Sequence, residues 1–288
     1  MTIETFFMIN FNGLLVENET FISSENRGYK YGDALFETLK VVYGKLLFWE
    51  DHYFRLMSSM RIMRMEIPVN FTMEFLEQEI TKTINANGLA KSSVRVRLNV
   101  DRGDGGKYSP VEQQISYSIS VEQLRNDFYS IAKQDQYAVD LYKDYFVAPG
   151  LLSTLKTNNK AIHVLGSIYA KENLLDNCLL LNTNKSVVEA LNGNLFLVKG
   201  EHIKTPPLQD GCLKGVMRKQ IIEVIANSGD YVIEEASISP FELQKADELF
   251  ITNVVVGIQP ILKYRKKNFS TTMAEDLMRR LTMKMRLS

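Results

Sequence analysis

The run SSVRVRLNV, residues 92–100, alternates polar and apolar side chains from Ser93 to its end. A strand points successive side chains to opposite faces, so this run predicts a strand buried on one face only. QISYSISVE (114–122) repeats the alternation after a glycine-rich connection and pairs with it. Moving outward, Asn12-Gly13 separates FFMIN (6–10) from LLVE (14–17) and supplies the positive φ of a tight hairpin turn. LFETLKVVY (35–43) and KLLFWE (45–50) form a second strand pair about Tyr43-Gly44. Asp51 to Met65 returns apolar residues at helical spacing (Phe54, Met57, Met60, Ile62, Met63), with Asp51 as the expected N-cap. Phe71 to Asn85 is a second amphipathic helix, closed by Asn87-Gly88.

The polar stretch EQLRNDFYS (122–130) is the expected linker, dividing a domain of residues 1–121 from one of 122–288. Beyond it, YAVDLY reads as a strand, residues 158–175 as a long helix, and CLLLN as a strand. SVVEA, NLFLV and HIKTP are further strands, followed by a helix over 216–226. YVIEEA, the long apolar strand ELFITNVVVGIQPIL (248–262) and a basic C-terminal helix complete the chain. There is no internal repeat and no low-complexity segment. Strands dominate and helices interrupt them without regular βαβ alternation, so the expected fold class is α+β in two parts.

The 288 residues carry 34 Lys+Arg against 34 Asp+Glu, with 45% hydrophobic and 24% charged residues, enough for one large domain or two moderate ones. Zero net charge argues against a broad nucleic-acid surface. Two cysteines, Cys178 and Cys212, argue against a disulfide framework and fit a reducing compartment. The start, MTIETFFMINFNGLLVENE, has acids and no basic leader, so it does not read as a signal peptide. No apolar run approaches the roughly 18 residues a membrane span requires. The expectation is a soluble, cytoplasmic protein with no nucleic-acid or membrane partner.

His52, His163 and His202 stand at no metal-ligand spacing with one another or with the cysteines, so no metal is expected. G-x-S-x-G and P-loop motifs are missing, and Asp104-Gly105-Gly106 is no dinucleotide fingerprint. Four positions ask for a reason. Lys156, in LLSTLKTNNKAIHVL, has an apolar side and a helix start nearby, which suits Schiff-base chemistry or, equally simply, a solvated helix-end lysine. Glu189 stands in an apolar strand pair and needs a cationic partner, unless it lies on an edge facing water. Arg55 is either a surface arginine or an inward anion clamp. Gly215 opens a helix whose first amides could hold a phosphate or could be an ordinary helix start.

Taken together and in order, these residues resemble one family, the pyridoxal-phosphate enzymes of aminotransferase class IV. The resembling segments are NRGYKYGDALFETLKVVYGKLLFWEDHYFRL (26–56), RVRLNVDRGDGGKYS (95–109) and LKTNNKAIHVLGSIYAKE (155–172). They continue with VVEALNGNLFLVKGEHIKTPPLQDGCLKGVMRKQ (187–220) and ADELFITNVVVGIQPI (246–261). The resemblance implies a small N-terminal α+β domain and a larger C-terminal domain with a barrel-like sheet, the cofactor pyridoxal 5'-phosphate lying between them. It implies that Lys156 forms the Schiff base, that Glu189 pairs with the pyridine nitrogen, and that Arg55 holds the phosphate. The amides of Val216 and Met217, with Asn253 and the Val254 amide, would complete the phosphate cup. Met217 stands where the family usually has a threonine, and Ala190-Leu191-Asn192-Gly193 where it often has serines.

The same resemblance divides on the reaction. Arg102-Gly103-Asp104-Gly105-Gly106-Lys107-Tyr108-Ser109 is similar to the R-G-x-G-G-R-G-Y-S loop of the family's aminodeoxychorismate lyases, with Lys107 for the arginine and one residue fewer before Tyr108. D-amino-acid aminotransferases instead place an arginine and a histidine in this loop. Phe36-Glu37-Thr38 follows the aminotransferase form, while Thr38 matches the lyases. The resemblance favours a lyase that releases pyruvate to give 4-aminobenzoate, over a branched-chain or D-amino-acid aminotransferase. By the same resemblance Thr38 would join Lys156 in catalysis, and Phe36, Lys107 and Tyr108 would face an amino substrate bearing a carboxylate. A non-catalytic cofactor-binding or interaction protein would have no need of Lys156, Glu189 and Arg55 together. Homodimers are common in the family, and the 12 methionines suit either a dimer surface or a core.

Overall fold

The computed structural model describes residues 8–17, 22–131 and 135–287, so Phe6 and Phe7 of the expected first strand lie outside the described residues. The chain divides into two compact units: one runs to Asp127 and takes back Lys156–Asn159, the other holds Phe128–Leu155 and the residues from Lys160 onward. The sequence reading sets its boundary six residues earlier, at 121/122, and has no returning segment.

In the first unit, β1 (Met8–Phe11), β2 (Leu14–Glu17), β3 (Ala34–Val42), β4 (Lys45–Leu46), β5 (Ser93–Arg102) and β6 (Ile115–Gln123) form one sheet in the order β2-β1-β6-β5-β3-β4. A short helix α1 (Arg27–Tyr31) precedes β3, and α2 (Trp49–Ile62) and α3 (Met73–Ala86) follow β4. Both tight turns are as the sequence predicts, with positive φ at Asn12-Gly13 and at Tyr43-Gly44. α2 packs on β3, and α3 on β1 and β6. Leu56, Met57, Met60, Leu76, Ile80 and Ile84 of these helices are buried, as are the even-numbered side chains of β5 from Val94 to Val100. The odd-numbered side chains of β5 point the other way, as the alternation requires.

Around β4 and α2 the boundaries differ from expectation. KLLFWE contributes only two strand residues, and α2 begins at Trp49 with Phe48 as its cap, not Asp51. Phe48 takes the left-handed conformation, φ 56°, to turn the chain from the sheet edge onto its face. Glu50 and Asp51 therefore lie in the first turn, where their charge suits the helix N-terminus. Nothing in the type of Phe48 announces a left-handed residue.

The second unit is built on a sheet that branches. Its strands are β7 (Ala138–Val147), β8 (Asn177–Asn182), β9 (Val187–Ala190), β10 (Gly193–Lys199), β11 (His202–Thr205), β12 (Val232–Glu235), β13 (Glu248–Asn253), β14 (Gly257–Ile261), β15 (Lys263–Tyr264) and β16 (Lys267–Asn268). The main path is β12-β11-β10-β9-β8-β7-β15-β16, and β13 pairs with the other edge of β10 and with β14. The helices are α4 (Ala161–Glu172), α5 (Val216–Ser228), α6 (Pro240–Lys245) and α7 (Thr272–Leu287). β7, α4 and β8 make one parallel crossover; the next strands run antiparallel through β11. ELFITNVVVGIQPIL is a hairpin and not one strand: Val254–Val256 turn the chain, Asn253 Oδ1 accepts the amides of Val255 and Val256 at 3.0 Å each, and Gly257 takes φ 79°. Three valines hide this turn from a reading based on polar turn residues. The helix expected from 158 starts at Ala161, because Asn158 is held by β3 of the first unit through its amide, 3.0 Å from the Ala34 carbonyl. Among the described residues no helix is long and apolar enough to cross a membrane.

Candidate functional site

In the first unit the segment around Lys156 adds itself to the outer edge of β3. Phe36 N donates to the Lys156 carbonyl at 2.9 Å, and Thr157 bridges Leu35 in antiparallel fashion. This fixes the lysine backbone beside Phe36, and its Nζ lies 4.3 Å from the centre of the Phe36 ring. The Arg97 guanidinium stands over the same ring at 3.9 Å. Cross-strand partners share a face, so Phe36, Thr38, Arg97, Asn99 and Asp101 all lie on the side of the sheet away from α2 and α3. The structure therefore brings together Lys156, Phe36 and Thr38, three of the residues named from sequence.

The same face holds residues that sequence reading passed over. Arg97 Nη2 donates to Asn158 Oδ1 at 3.1 Å, Asn158 Nδ2 to Asn99 Oδ1 at 3.1 Å, and Asn99 Nδ2 to both Asp101 oxygens at 3.0 Å. Burial pushes the Asp101 carboxyl up, with Asp104 and Asp33 adding to the effect against the Asn99 hydrogen bond and Arg97, to about 6. The signal was present: R-x-R-x-N-x-D at every second position of β5 is a polar face, and a solvent-facing reading of it conceals a network.

Arg55 is elsewhere. It projects from α2 to the other side of β3, where its Nε donates to Glu37 Oε1 at 2.8 Å and its Nη2 to Glu37 Oε2. His52 Nδ1 donates to Glu37 Oε2 at 2.7 Å. Burial alone would push the Glu37 carboxyl up; the Arg55 guanidinium and the hydrogen bonds from His52 and Arg55 outweigh it and hold the group down at about 2. Arg55 is thus an inward arginine with a carboxylate partner of its own.

Lys107 and Tyr108 sit on the loop between β5 and β6. Arg27, a buried residue at the start of α1, donates to the carbonyls of Gly105, Lys107 and Tyr108, at 3.1, 2.5 and 3.4 Å. Tyr108 is 91% exposed and packs its ring 5.8 Å from Tyr31. The described contacts of these two residues are with α1 and not with the Phe36–Lys156 pair. Arg27 was missed; its position just after the N-cap Asn26 gives no sign that it ties a loop about eighty residues away.

In the second unit the site is a row of three polar residues across an apolar sheet. Asn194 on β10 is paired with Glu189 on β9 and with Thr252 on β13, so the three side chains lie next to one another on one face. All three are buried. Above them runs the segment before α5: Leu213 N donates to Glu189 Oε2 at 2.9 Å, and Asn194 Nδ2 donates to the Leu213 carbonyl at 2.9 Å. Gly215 caps the helix over Asn194 so closely that a Cβ there would come within 2.0 Å of Asn194 Oδ1. Val216 and Met217 follow as the first two helical residues, both buried, their amides having no acceptor one turn earlier in the helix. Thr252 Oγ1 is buried with no partner among the described residues.

Glu189 itself is no edge residue facing water. His163 Nε2 approaches its Oε1 at 3.4 Å, and no lysine or arginine among the described residues pairs with it. Asn253 is on the opposite face from Thr252 by alternation, and its side chain is committed to the turn: Oδ1 accepts two amides and Nδ2 donates to the Asn192 carbonyl at 3.2 Å. Val254 accepts the Tyr129 hydroxyl on its carbonyl at 2.6 Å. Thr252 and Asn194 were missed because each stands beside a turn residue, Asn253 and Gly193, where a polar residue reads as a strand end.

A family model described as amino-transferase class IV matches residues 34–264. An aminodeoxychorismate lyase from Vibrio harveyi is 26% identical over 247 residues, which cover 84% of this chain and 87% of that protein. A D-alanine aminotransferase from Staphylococcus epidermidis is 24% identical over 282 residues, 94% of this chain and 93% of its own. A solved branched-chain aminotransferase from the thermophilic archaeon Thermoproteus uzoniensis, with norvaline, shares the fold with a TM-score of 0.84 at 22% identity, covering 97% of this chain and 95% of that one. The matched region runs from the first residue of β3 to the last of β15 and takes in Lys156, Glu189 and the start of α5; the chain is an enzyme of the class IV aminotransferase family.

Proposed function

We propose that the chain binds pyridoxal 5'-phosphate and acts as an aminodeoxychorismate lyase, converting 4-amino-4-deoxychorismate to 4-aminobenzoate, a folate precursor, and pyruvate. The residues fit the cofactor. Glu189 is a buried carboxylate whose partners are an amide and a histidine, and it needs a cation such as a pyridinium. The helix start at Gly215–Met217, with Thr252 Oγ1 unpartnered beside it in the sheet, suits a phosphate. The Val254 amide is a further candidate for that phosphate, and so is Arg55 with whatever donors Glu37 leaves; the Asn253 side chain, committed to its turn, serves by holding that turn. When bound, the cofactor supplies an electron sink for the carbon next to the substrate nitrogen.

The rest is work for the chain's own residues. Lys156 Nζ, held over Phe36, is the covalent anchor and takes the proton from the substrate carbon once released. Thr38 is two residues along β3 on the same face, and its hydroxyl hands a proton to the departing enolpyruvyl oxygen. That hydroxyl, on the face Lys156 overlies, is the observation that carries the lyase reading. Glu189 keeps its charge for the ring nitrogen. Lys107 and Tyr108 bring a point charge and a hydroxyl to a substrate carboxylate. The chain acts as a cytoplasmic homodimer: α4 leaves Val164, Leu165 and Ile168 exposed, an apolar stripe suited to a second copy, which sedimentation or light scattering reads directly. Similarity to a D-alanine aminotransferase supports the second reading, amino transfer to a 2-oxo acid.

The test uses purified protein supplied with the cofactor. Wild type absorbs in the visible and, after borohydride, carries the cofactor mass on the Lys156 peptide; Lys156→Ala carries none. Supplied with 4-amino-4-deoxychorismate, wild type forms 4-aminobenzoate and pyruvate. No product, together with a 2-oxo-acid-dependent half-reaction on leucine or D-alanine, replaces the lyase with an aminotransferase. Failure to take up the cofactor removes the cofactor reading itself.

A further inference from the structure

We propose that His163 is a positioning residue that holds the Glu189 carboxylate in the plane and direction in which it meets the cofactor's ring nitrogen. The inference rests on the cofactor reading above and adds a residue to it. Glu189 leaves β9 on the same face as its partner Leu180 on β8, the face that carries the cluster of Tyr142, Ala170, Cys178 and Leu180. α4 lies over that cluster. His163 and Gly166 are three residues apart and so share one side of the helix. Gly166 lets the helix come close: a Cβ there would meet Leu191 Cδ2 at 2.5 Å, just beyond the end of β9. His163, on the same side one turn earlier, is thereby brought to 3.4 Å from Glu189 Oε1.

The carboxylate can only accept, so Nε2 of His163 carries the hydrogen and donates it. Nδ1 is buried with no partner among the described residues, so the Glu189 contact is the one hydrogen bond this ring makes among them. The other carboxylate oxygen, Oε2, takes the Leu213 amide at 2.9 Å. Two donors from two directions, one on a helix and one on the loop before α5, fix the carboxylate plane. Each oxygen has a second lone-pair direction, which leaves capacity for a third donor on the ligand. An amide alone would leave Oε1 to rotate, and a buried carboxylate free to rotate is a poor partner for one fixed N–H.

The experiment measures dissociation constants of the protein freed of cofactor, for pyridoxal 5'-phosphate and for its analogue with C–H in place of the ring nitrogen. His163→Leu is expected to weaken binding of the natural cofactor about tenfold, the scale of one hydrogen bond to a charged group, and to leave the analogue's affinity unchanged. His163→Gln, which can still donate an N–H, stays within about twofold of wild type on both, and His163→Asn, too short to reach, behaves as the leucine variant. This pair keeps the test open should the leucine variant fail to fold. The visible absorption maximum of the bound cofactor shifts in the Leu and Asn variants and returns in Gln. Equal weakening toward both ligands would show that His163 merely packs, and unchanged affinity for both would show that it does nothing for Glu189; either overturns the proposal. If wild type itself takes up neither ligand, the cofactor reading fails first, an outcome that no His163 variant can mimic.

Discussion

Among the described residues a histidine meets a buried carboxylate in each unit, and the two pairs are opposites. Glu37 and His52 are 2.7 Å apart, and Arg55 completes the set with two further contacts to the same carboxylate. The charge is neutralised where it stands, and the carboxyl is held near 2. Glu189 and His163 are 3.4 Å apart, and the other partner of Glu189 among the described residues is a backbone amide. One carboxylate has two cationic or imidazole partners on it; the other, on the function proposed above, takes its cation from the ligand. A buried ion is tolerated only when paired, so the Glu37 site reads as architecture that orients Arg55, and the Glu189 site is the one we propose a cationic ligand completes.

The comparison breaks first at Glu189. Glu189→Gln keeps the shape and the Leu213 contact but removes the charge, and is expected to lower kcat by about a hundredfold or more while moving Tm by only a few degrees. Steady-state kinetics and a melting curve on the same preparation read both. A variant that melts early but turns over normally would make Glu189 a structural residue. Glu37→Gln has the reverse signature. It leaves Arg55 buried beside a neutral amide and is expected to cost about 3–5 kcal/mol of stability, seen as a lowered denaturation midpoint. Loss of activity without loss of stability would move Glu37 into the catalytic machinery.

Acid separates the two pairs as well. Glu37 is held below its ordinary value, so the unfolded chain binds more protons than the native one at low pH. The stability it contributes is complete above about 4.5 and is lost as pH falls from there toward 2. Burial also holds His52 below its ordinary value against the pull of Glu37, so its contribution starts to fall once pH drops below about 6.5. Urea midpoints between pH 4.5 and pH 2 should therefore decline in wild type, and decline less steeply in Glu37→Gln. Equal slopes would mean that the Glu37 charge is not what holds this part of the sheet to α2.

How much of this was legible beforehand follows from which interactions are local. The alternation in β5 and the paired turns Asn12-Gly13 and Tyr43-Gly44 reveal the first sheet, because pleat and turn are properties of neighbouring residues. Lys156 and Glu189 stand out by type in context and by the order of motifs around them. The left-handed Phe48 and the all-valine turn at 254–256 were not legible, since tertiary packing selects those conformations against residue preference. The row Glu189–Asn194–Thr252 could not be read either: it exists only once β9, β10 and β13 are in register, and β13 is more than fifty residues from its partner.

Asp101 supplies a third carboxylate, and the smallest effect that sharpens the comparison. It lies on the polar face of β5 with an amide partner, Asn99, and with acids nearby where Glu37 has an arginine. Its carboxyl is accordingly raised to about 6, the opposite of Glu37. A raised value means the native state favours the protonated form, so its contribution is best below about 3.8 and is lost as pH rises through 6. Asn resembles the protonated acid, and Asp101→Asn should stabilise the protein at pH 8 by about 1–2 kcal/mol, less than the full linkage because the Asn99 amide loses one of its two acceptors. The gain should shrink by about half at pH 5, as the wild-type group takes up its proton. Gly28, where a Cβ would come within 2.0 Å of Asp101 Oδ1, keeps α1 against this carboxylate, and the asparagine must fit the same space. Should the variant instead lose turnover at unchanged stability, Asp101 would belong with Glu189, as a carboxylate left incomplete by the fold because a ligand completes it.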